Sequence, residues 1–217
     1  MGHNNHTQAK RKMINQHLIA RGIKNERVLR AFKDVPREEF VPDKAKSKAY
    51  QDRPLPIGEG QTISQPYIVA EMIQALDPIP SAKVLEIGTG SGYAAAILAE
   101  IVEVVHGVER YQSLADNAQQ RLNRLDYDNI NVHVGDGTLG WPASGPYDGI
   151  LVSAAAPEIP NSLIEQLAAG GYFVIPVGTK SVQQLYQIEK LRAGTVHKNK
   201  LDRVRFVPLL GAEGWSP

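Results

Sequence analysis

Val84-Leu85-Glu86-Ile87-Gly88-Thr89-Gly90-Ser91-Gly92-Tyr93 is the stretch on which the reading of this chain turns. Val84 to Ile87 is a short apolar run of strand type, and the alanine-rich stretch through Ala99 is helical. Three alternating glycines between them let the backbone turn sharply and let a ligand approach the main chain without interference from a Cβ. The helix that follows offers unpaired N–H groups and the positive end of its dipole. Such a loop suits a phosphate or the carboxylate of an amino-acid-like cofactor.

Outward from this loop the same grammar repeats. Val104 to Val108, Ile130 to Val134, Tyr147 to Val152 and Tyr172 to Ile175 read as strands. Leu114 to Leu125 and the core of a helix at Leu163 to Leu167 lie between them, and Tyr67 to Leu76 reads as a helix before the first strand. Alternation of this kind predicts a parallel sheet covered by helices on both faces. Gln184 to Ile188 and Arg203 to Val207 alternate with period two and have no long helix between them, which predicts an antiparallel pair at one edge. Upstream, residues 8–34 read as two helices broken at Gly22, and Val35 to Gly60, punctuated by prolines and glycines, reads as an extended loop layer. The fold class is therefore α/β, a doubly wound and mostly parallel Rossmann-like sheet with an antiparallel C-terminal edge and N-terminal helices. One domain over 1–217 is expected: helices and loop layer at 1–60, the cofactor-binding core at 61–180, and the C-terminal strands at 181–217.

Composition narrows the function classes. The 217 residues include no cysteine, which removes disulfides, thiolate metal sites and a cysteine nucleophile. No run of about 18 apolar residues exists, so no membrane-spanning helix is expected, and the polar N-terminus lacks the apolar core of a signal peptide. The cytoplasm is the expected compartment. His3 and His6 read as solvated rather than metal-ligating, and no metal site is expected. Residues 1–50 hold 12 basic and 5 acidic side chains, a balance of +7, and the rest hold 12 and 18, a balance of −6. The basic arm carries its own acids and core-type phenylalanines, so it reads as a solvated helical face and not as a nucleic-acid site.

The ligand of the loop is narrowed by three carboxylates. Tyr93 stands where a dinucleotide fingerprint wants a small residue. Glu109, ending the second strand, can accept two hydrogen bonds from ribose hydroxyls, a contact that serves NAD and S-adenosylmethionine alike. Glu86 favours the latter, whose amino group and sulfonium are cationic whereas a pyrophosphate is anionic. Asp136, ending the third strand, is placed to reach the adenine. No GxxxxGK[ST] and no GxSxG occurs, which argues against a P-loop and a serine esterase.

The motif from Val84 to Tyr93 resembles motif I of the protein-L-isoaspartate (D-aspartate) O-methyltransferases. So do Pro54-Leu55-Pro56-Ile57-Gly58, Gly60-Gln61-Thr62-Ile63-Ser64-Gln65-Pro66, Gly135-Asp136-Gly137 through Pro146-Tyr147-Asp148, Ala154-Ala155-Ala156-Pro157, Gly170-Gly171 with Ile175 to Gly178, and Val204 to Leu209. The resemblance runs in order from about residue 10 to 215, and the Gln61 to Pro66 block is its most restrictive part. Tyr172-Phe173 and Ser153 depart from the usual residues, at positions expected to lie outside the contacts.

The resemblance implies methyl transfer from S-adenosyl-L-methionine to the free α-carboxyl of L-isoaspartyl residues, and to the β-carboxyl of D-aspartyl residues, in damaged proteins and peptides. The ester then cyclises to a succinimide without help. Ser64 is implied as the residue at the reacting centre. Gln61, Thr62, Ile63, Glu86, Gly88, Thr89, Gly90, Ser91, Gly92, Glu109, Asp136 and Gly137 are implied as cofactor contacts. The substrate is expected between the 54–64 loops and a 204–209 strand, and the enzyme is expected to be a monomer. Spacing alone leaves a second role open for Ser64, as N-cap of the helix that follows Pro66. A methyltransferase acting on small molecules or nucleic acid lacks a visible base or Asn/Asp-Pro-Pro-aromatic block here. The remaining reading is a binding module that kept the fold and lost the chemistry.

Overall fold

The computed structural model describes residues 2–216, with side chains from His6 onward. Its centre is a seven-stranded sheet in the order β5-β4-β3-β6-β7-β8-β9. The strands are β3 Lys83–Ile87, β4 Val104–Glu109, β5 Ile130–Val134, β6 Tyr147–Val152, β7 Leu167–Gly178, β8 Gln183–Lys190 and β9 Val196–Val204. Pairing is parallel from β5 through β7 and antiparallel for β7–β8 and β8–β9. The helices are α3 Pro66–Leu76, α4 Tyr93–Ala99, α5 Gln112–Arg124 and α6 Asn161–Gln166.

The pleat sorts side chains between two cores. Val84 of β3 joins the cluster under α3, α4 and the N-terminal helices, whereas Leu85 and Ile87 join the cluster on the opposite face with Phe173 and Leu163. Glu86 therefore points, with Val84, toward the α4 side. From β3 the chain moves outward to β4 and β5 and then returns to place β6 on the other side. That reversal leaves a crevice outside the carboxyl end of β3, where open α/β sheets take ligands.

Several boundaries differ from the sequence expectation. Helix begins at Gly2 rather than residue 8: α1 Gly2–Lys12 runs into a π-helical turn Met13–Leu18 and a 3₁₀ turn Ile19–Arg21, then stops at Gly22 (φ 95°) before α2 Glu26–Asp34. His6 is not solvated. It is half-buried, with Nδ1 3.3 Å from Glu38 Oε1, while the side chain of His3 lies outside the described residues.

The supposed loop layer contains two 3₁₀ turns, Arg37–Phe40 and Asp43–Lys48, and most of a hairpin, β1 Leu55–Gly58 with β2 Gln61–Ile63. Its order comes from long-range contacts that have no period in sequence. The helix expected across Leu163 to Leu167 ends at Gln166, and Leu167 opens β7 instead. Lys190 Nζ donates to the carbonyls of Ile164 and Leu167 at 2.8 and 2.7 Å, closing that short helix from β8.

The antiparallel edge exists, but its second strand is Val196–Val204 and not Arg203 to Val207. Most of β9 is exposed, and His197, Lys198 and Lys200 leave no apolar alternation to read; charge of this kind protects an edge strand from further pairing. Arg205 to Val207 leave the ladder. Phe206 N–H donates to the buried Gln183 side chain (2.8 Å), and Val207 C=O accepts from Ala155 N–H (2.8 Å). The departure carries this segment across the carboxyl edge of the sheet.

Candidate active site

Three connected depressions lie along that edge. A wide cleft of about 670 Å³ is lined by Pro54, Ser64 and Ile68 on one side and Arg203 to Pro208 on the other. A narrow groove of about 70 Å³ runs past Gly88, Gly90 and Glu109 beneath the β1–β2 hairpin. A deep pocket of about 40 Å³ holds Glu86, Thr89 and Tyr93. Thr62 and Ser153 line all three, and Ser64 lines both the cleft and the deep pocket.

Gly88, Gly90 and Gly92 all have positive φ (81°, 54° and 85°), which is why the loop needs glycine. The loop is braced from within. Gly88 N–H donates to Val108 C=O (2.8 Å), Gly92 N–H to Thr89 C=O (2.8 Å), and Gly90 N–H to Glu109 Oε2 (2.8 Å). Glu109 Oε1 also accepts from Tyr111 N–H (2.9 Å). Its carboxylate is thus fixed and buried, with a lone pair on each oxygen still available to a pair of hydroxyls. A Cβ at Gly90 would stand 3.2 Å from Ile57 Cδ1, so the loop and the hairpin are already in close approach there.

Glu86 is the opposite kind of acid. It is buried, its Oε2 has no hydrogen-bond partner among the described residues, and it faces the deep pocket. Burial first, and the neighbouring Glu109 second, push its carboxyl well above the usual range. An unpaired buried acid is expensive unless a cation comes to it. The residues present therefore fit a ligand with hydroxyls at Glu109 and a positive charge near Glu86, which is the chemistry of S-adenosylmethionine.

Gln61, Thr62, Ile63, Gly88, Thr89, Gly90, Ser91 and Gly137 line these depressions together with the two glutamates. Gly92 supports the loop from behind, packed toward Leu122 and Ala118. Asp136 is not brought to the groove wall. Its Oδ1 accepts from Thr138 N–H and Oγ1 (2.9 and 2.7 Å), and its Oδ2 from Ala212 N–H (2.7 Å). Those donors hold the carboxylate below its ordinary range against the cost of burial, and tie the C-terminal segment to β5.

Ser64 has been relieved of the capping role. Helix α3 starts at Pro66 with Gln65 at the N-cap, and Tyr67 N–H donates to Asp52 Oδ1 (3.0 Å). Asp52 Oδ2 in turn accepts from Gln65 Nε2 (2.7 Å) and Arg21 Nη1 (3.0 Å). The Ser64 hydroxyl has no partner among the described residues, while its carbonyl accepts from Arg37 Nη2 (2.8 Å). Arg37 is completely buried, also donates from Nε to Ala49 C=O (2.7 Å), and lies 4.6 Å from the centre of the Tyr93 ring.

Sequence reading missed Arg37, Asp52 and Ser153 in this role. Ser153, expected outside the contacts, follows β6 and lines every part of the site; its place at a strand end beside the switch point was the available signal. Arg37 and Asp52 carried no such signal. No histidine with a described side chain lines the site; His106 Nδ1 and His133 Nε2 are 3.1 Å apart, and His133 stacks on Trp141.

With the geometry in hand, the chain can be set beside known proteins. The family model described as protein-L-isoaspartate(D-aspartate) O-methyltransferase matches residues 8–214. A protein-L-isoaspartate O-methyltransferase of Pelotomaculum thermopropionicum is 54% identical over 211 residues, spanning 97% of this chain and 92% of the relative. A relative of the same description from Syntrophobacter fumaroxidans is 51% identical over 98% of this chain and 99% of its own. Among solved structures, a protein-L-isoaspartate O-methyltransferase superposes with a TM-score of 0.85 at 29% identity, covering 94% of this chain and 67% of the other. A Plasmodium falciparum chain of that description, in complex with S-adenosyl-L-homocysteine, gives 0.78 at 27% identity over 94% and 98% of the two chains. This chain belongs to the protein-L-isoaspartate(D-aspartate) O-methyltransferase family.

Proposed function

We propose that Ser64 orients the attacking carboxylate in the family's reaction, the S-adenosylmethionine-dependent methylation of isoaspartyl residues that begins their repair. The observation that carries this is the position of its uncommitted hydroxyl, at the junction of the wide cleft and the Glu86 pocket. S-adenosylmethionine supplies a methyl group already activated by a positive sulfur. The nucleophile needs no activation either, since a carboxyl with a reference pKa near 4 is ionised at neutral pH. That accords with a site lined by no histidine among the described residues. What the protein has to provide is alignment and exclusion of water.

Ser64 donates one hydrogen bond to the carboxylate and points its other oxygen inward. Arg37 holds the Ser64 carbonyl in place from behind. Glu109 holds the ribose hydroxyls, Glu86 faces the cationic amino-acid end, and Gly88, Gly90 and Gly137 let the main chain come close. Gln61, Thr62, Ile63, Thr89 and Ser91 close the walls, and Asp136 acts at a distance by securing the C-terminal segment. The peptide lies in the wide cleft against Arg203 to Pro208, whose main chain past the end of β9 can pair with an extended backbone.

Labelled methyl transfer to matched isoaspartyl, aspartyl and D-aspartyl peptides tests this. Transfer to the isoaspartyl form with none to the L-aspartyl form is expected, and slower transfer to the D-aspartyl form; equal labelling of both L-forms would overturn it. We further assign the chain to the cytoplasm, as a monomeric single domain. One core cluster joins the N-terminal helices to the sheet, which supports the single domain. Light scattering and a single calorimetric transition would check state and unity.

A further inference from the structure

The wide cleft has a charge that the rest of its half of the chain does not. From residue 51 onward the chain holds 18 acidic and 12 basic side chains. Yet every charged residue lining the cleft is a cation: Lys180, Arg203 and Arg205. They come from two separate segments: Lys180 from the turn between β7 and β8, and Arg203 and Arg205 from the end of β9 and the stretch just past it. None of the three has an ion-pair partner among the described residues; Lys180 Nζ rests 5.1 Å from the centre of the Trp215 ring.

Three acids on the flanking elements, Asp52, Glu71 and Asp202, have other neighbours. Asp52 is paired with Arg21. Asp202 and Glu71 face each other beside Tyr67 and Arg21, and burial first, then Asp202, pushes the Glu71 carboxyl up to about 7. Part of the Glu71 charge is therefore absent at neutral pH. Three cations around one cleft raise the local concentration of anionic partners and stabilise those whose charges fall opposite them.

We propose that this enzyme selects among isoaspartyl sites by flanking charge, favouring those with aspartate or glutamate close by and discriminating against those flanked by lysine or arginine. The inference rests on the wide cleft being the peptide site. Lys180 and Arg203 are the specificity-determining residues, and Arg205 adds to the same field. Because these contacts are remote from the reacting carboxylate and are made before and during reaction alike, they act on KM and leave kcat little changed.

The test uses three isoaspartyl peptides identical except for glutamate, glutamine or lysine on both flanks, with kcat and KM measured from methyl ester formation. At about 0.01 M salt the KM order is glutamate, then glutamine, then lysine, with roughly a five- to twentyfold spread between the ends. The spread should shrink to about twofold near 1 M salt, where the Debye length falls to about 3 Å. In the Lys180→Gln/Arg203→Gln double variant the ratio of KM values for the lysine and glutamate peptides should approach that of the parent at high salt. Equal KM values in the parent protein overturn the inference while leaving isoaspartyl methylation intact. A double variant that keeps the full ranking overturns the assignment to these residues. Methylation of none of the three peptides removes both the peptide-site reading and the inference built on it.

Discussion

The narrow groove at Glu109 and the wide cleft share Thr62 and Ser153 but are built on different principles. The groove is narrow, and its key groups are fixed by backbone hydrogen bonds from a few residues away or one strand over: Gly90 and Tyr111 N–H donate to Glu109, and Gly88 N–H donates to Val108 C=O. The cleft is wide, and its walls come from residues 54 to 68, 153, 180 and 203 to 208, brought together only by the whole fold. The difference teaches where each kind of specificity resides. An invariant ligand can be met by one strand–loop–helix unit whose geometry is local. A cleft walled by separate segments suits a variable ligand, because its side chains can change without disturbing the sheet.

The sharpest way to break this contrast is at the junction. Ser64→Ala should lower kcat on a saturating isoaspartyl peptide about tenfold to a hundredfold, the worth of one hydrogen bond to a charged group. Its melting temperature should hardly move, because Asp52 and not Ser64 serves the first turn of α3. Unchanged kcat would return Ser64 to the scaffold. Next, Glu109→Ala should weaken S-adenosylmethionine binding about tenfold, measured by titration calorimetry, through the lost hydroxyl acceptors and a looser Gly90. Equal affinity would take Glu109 out of the groove.

Glu86→Gln probes the same groove from the side of stability. A carboxyl whose pKa is raised by folding binds more protons in the native state, so it lowers stability as pH rises from the unfolded value near 4.5 through the native one. The variant should therefore melt higher than the parent at pH 8 and about equally at pH 4, while binding the cofactor several-fold more weakly. In the parent, cofactor affinity should rise with pH across the same window, since the ligand's cation favours the ionised acid. An affinity independent of pH would show that Glu86 does not meet that cation.

The smallest effect concerns the cleft wall. Asp52→Ala removes the acceptor for Tyr67 N–H and the partner of Arg21, and should cost about 1 kcal/mol in denaturant unfolding. It should also raise peptide KM, because Ser64 and Gln65 lie on the segment that Asp52 anchors. A stability loss with unchanged KM would separate the anchor from the cleft.

How much of this could be read in advance depended on the range of the forces involved. β3, the glycine loop and α4 were visible because a buried strand, a turn needing positive φ and an alanine helix each leave a local mark. The hairpin at Leu55 to Ile63 was invisible, since its strands have only four and three residues and are held by Leu55 against Ile63 and by packing from outside. β9 was misplaced for the reverse reason: an exposed, charged edge strand has no alternation, whereas Val204 to Val207 alternates because it crosses the site.

From sequence alone came the sheet type, the loop, the acids at the ends of β3 and β4, and, through the resemblance, the serine at Ser64. These follow from residue chemistry and short spacing. Only the tertiary structure decided that Asp136 accepts from Thr138 and Ala212, that Asp52 and not Ser64 serves the first turn of α3, that Arg37 holds the Ser64 carbonyl, and that Ser153 and three unpaired cations line one cleft. A side chain's lone pairs and protons are allotted among whatever neighbours the fold delivers. Those neighbours here lie up to 76 residues away, beyond the reach of any periodicity.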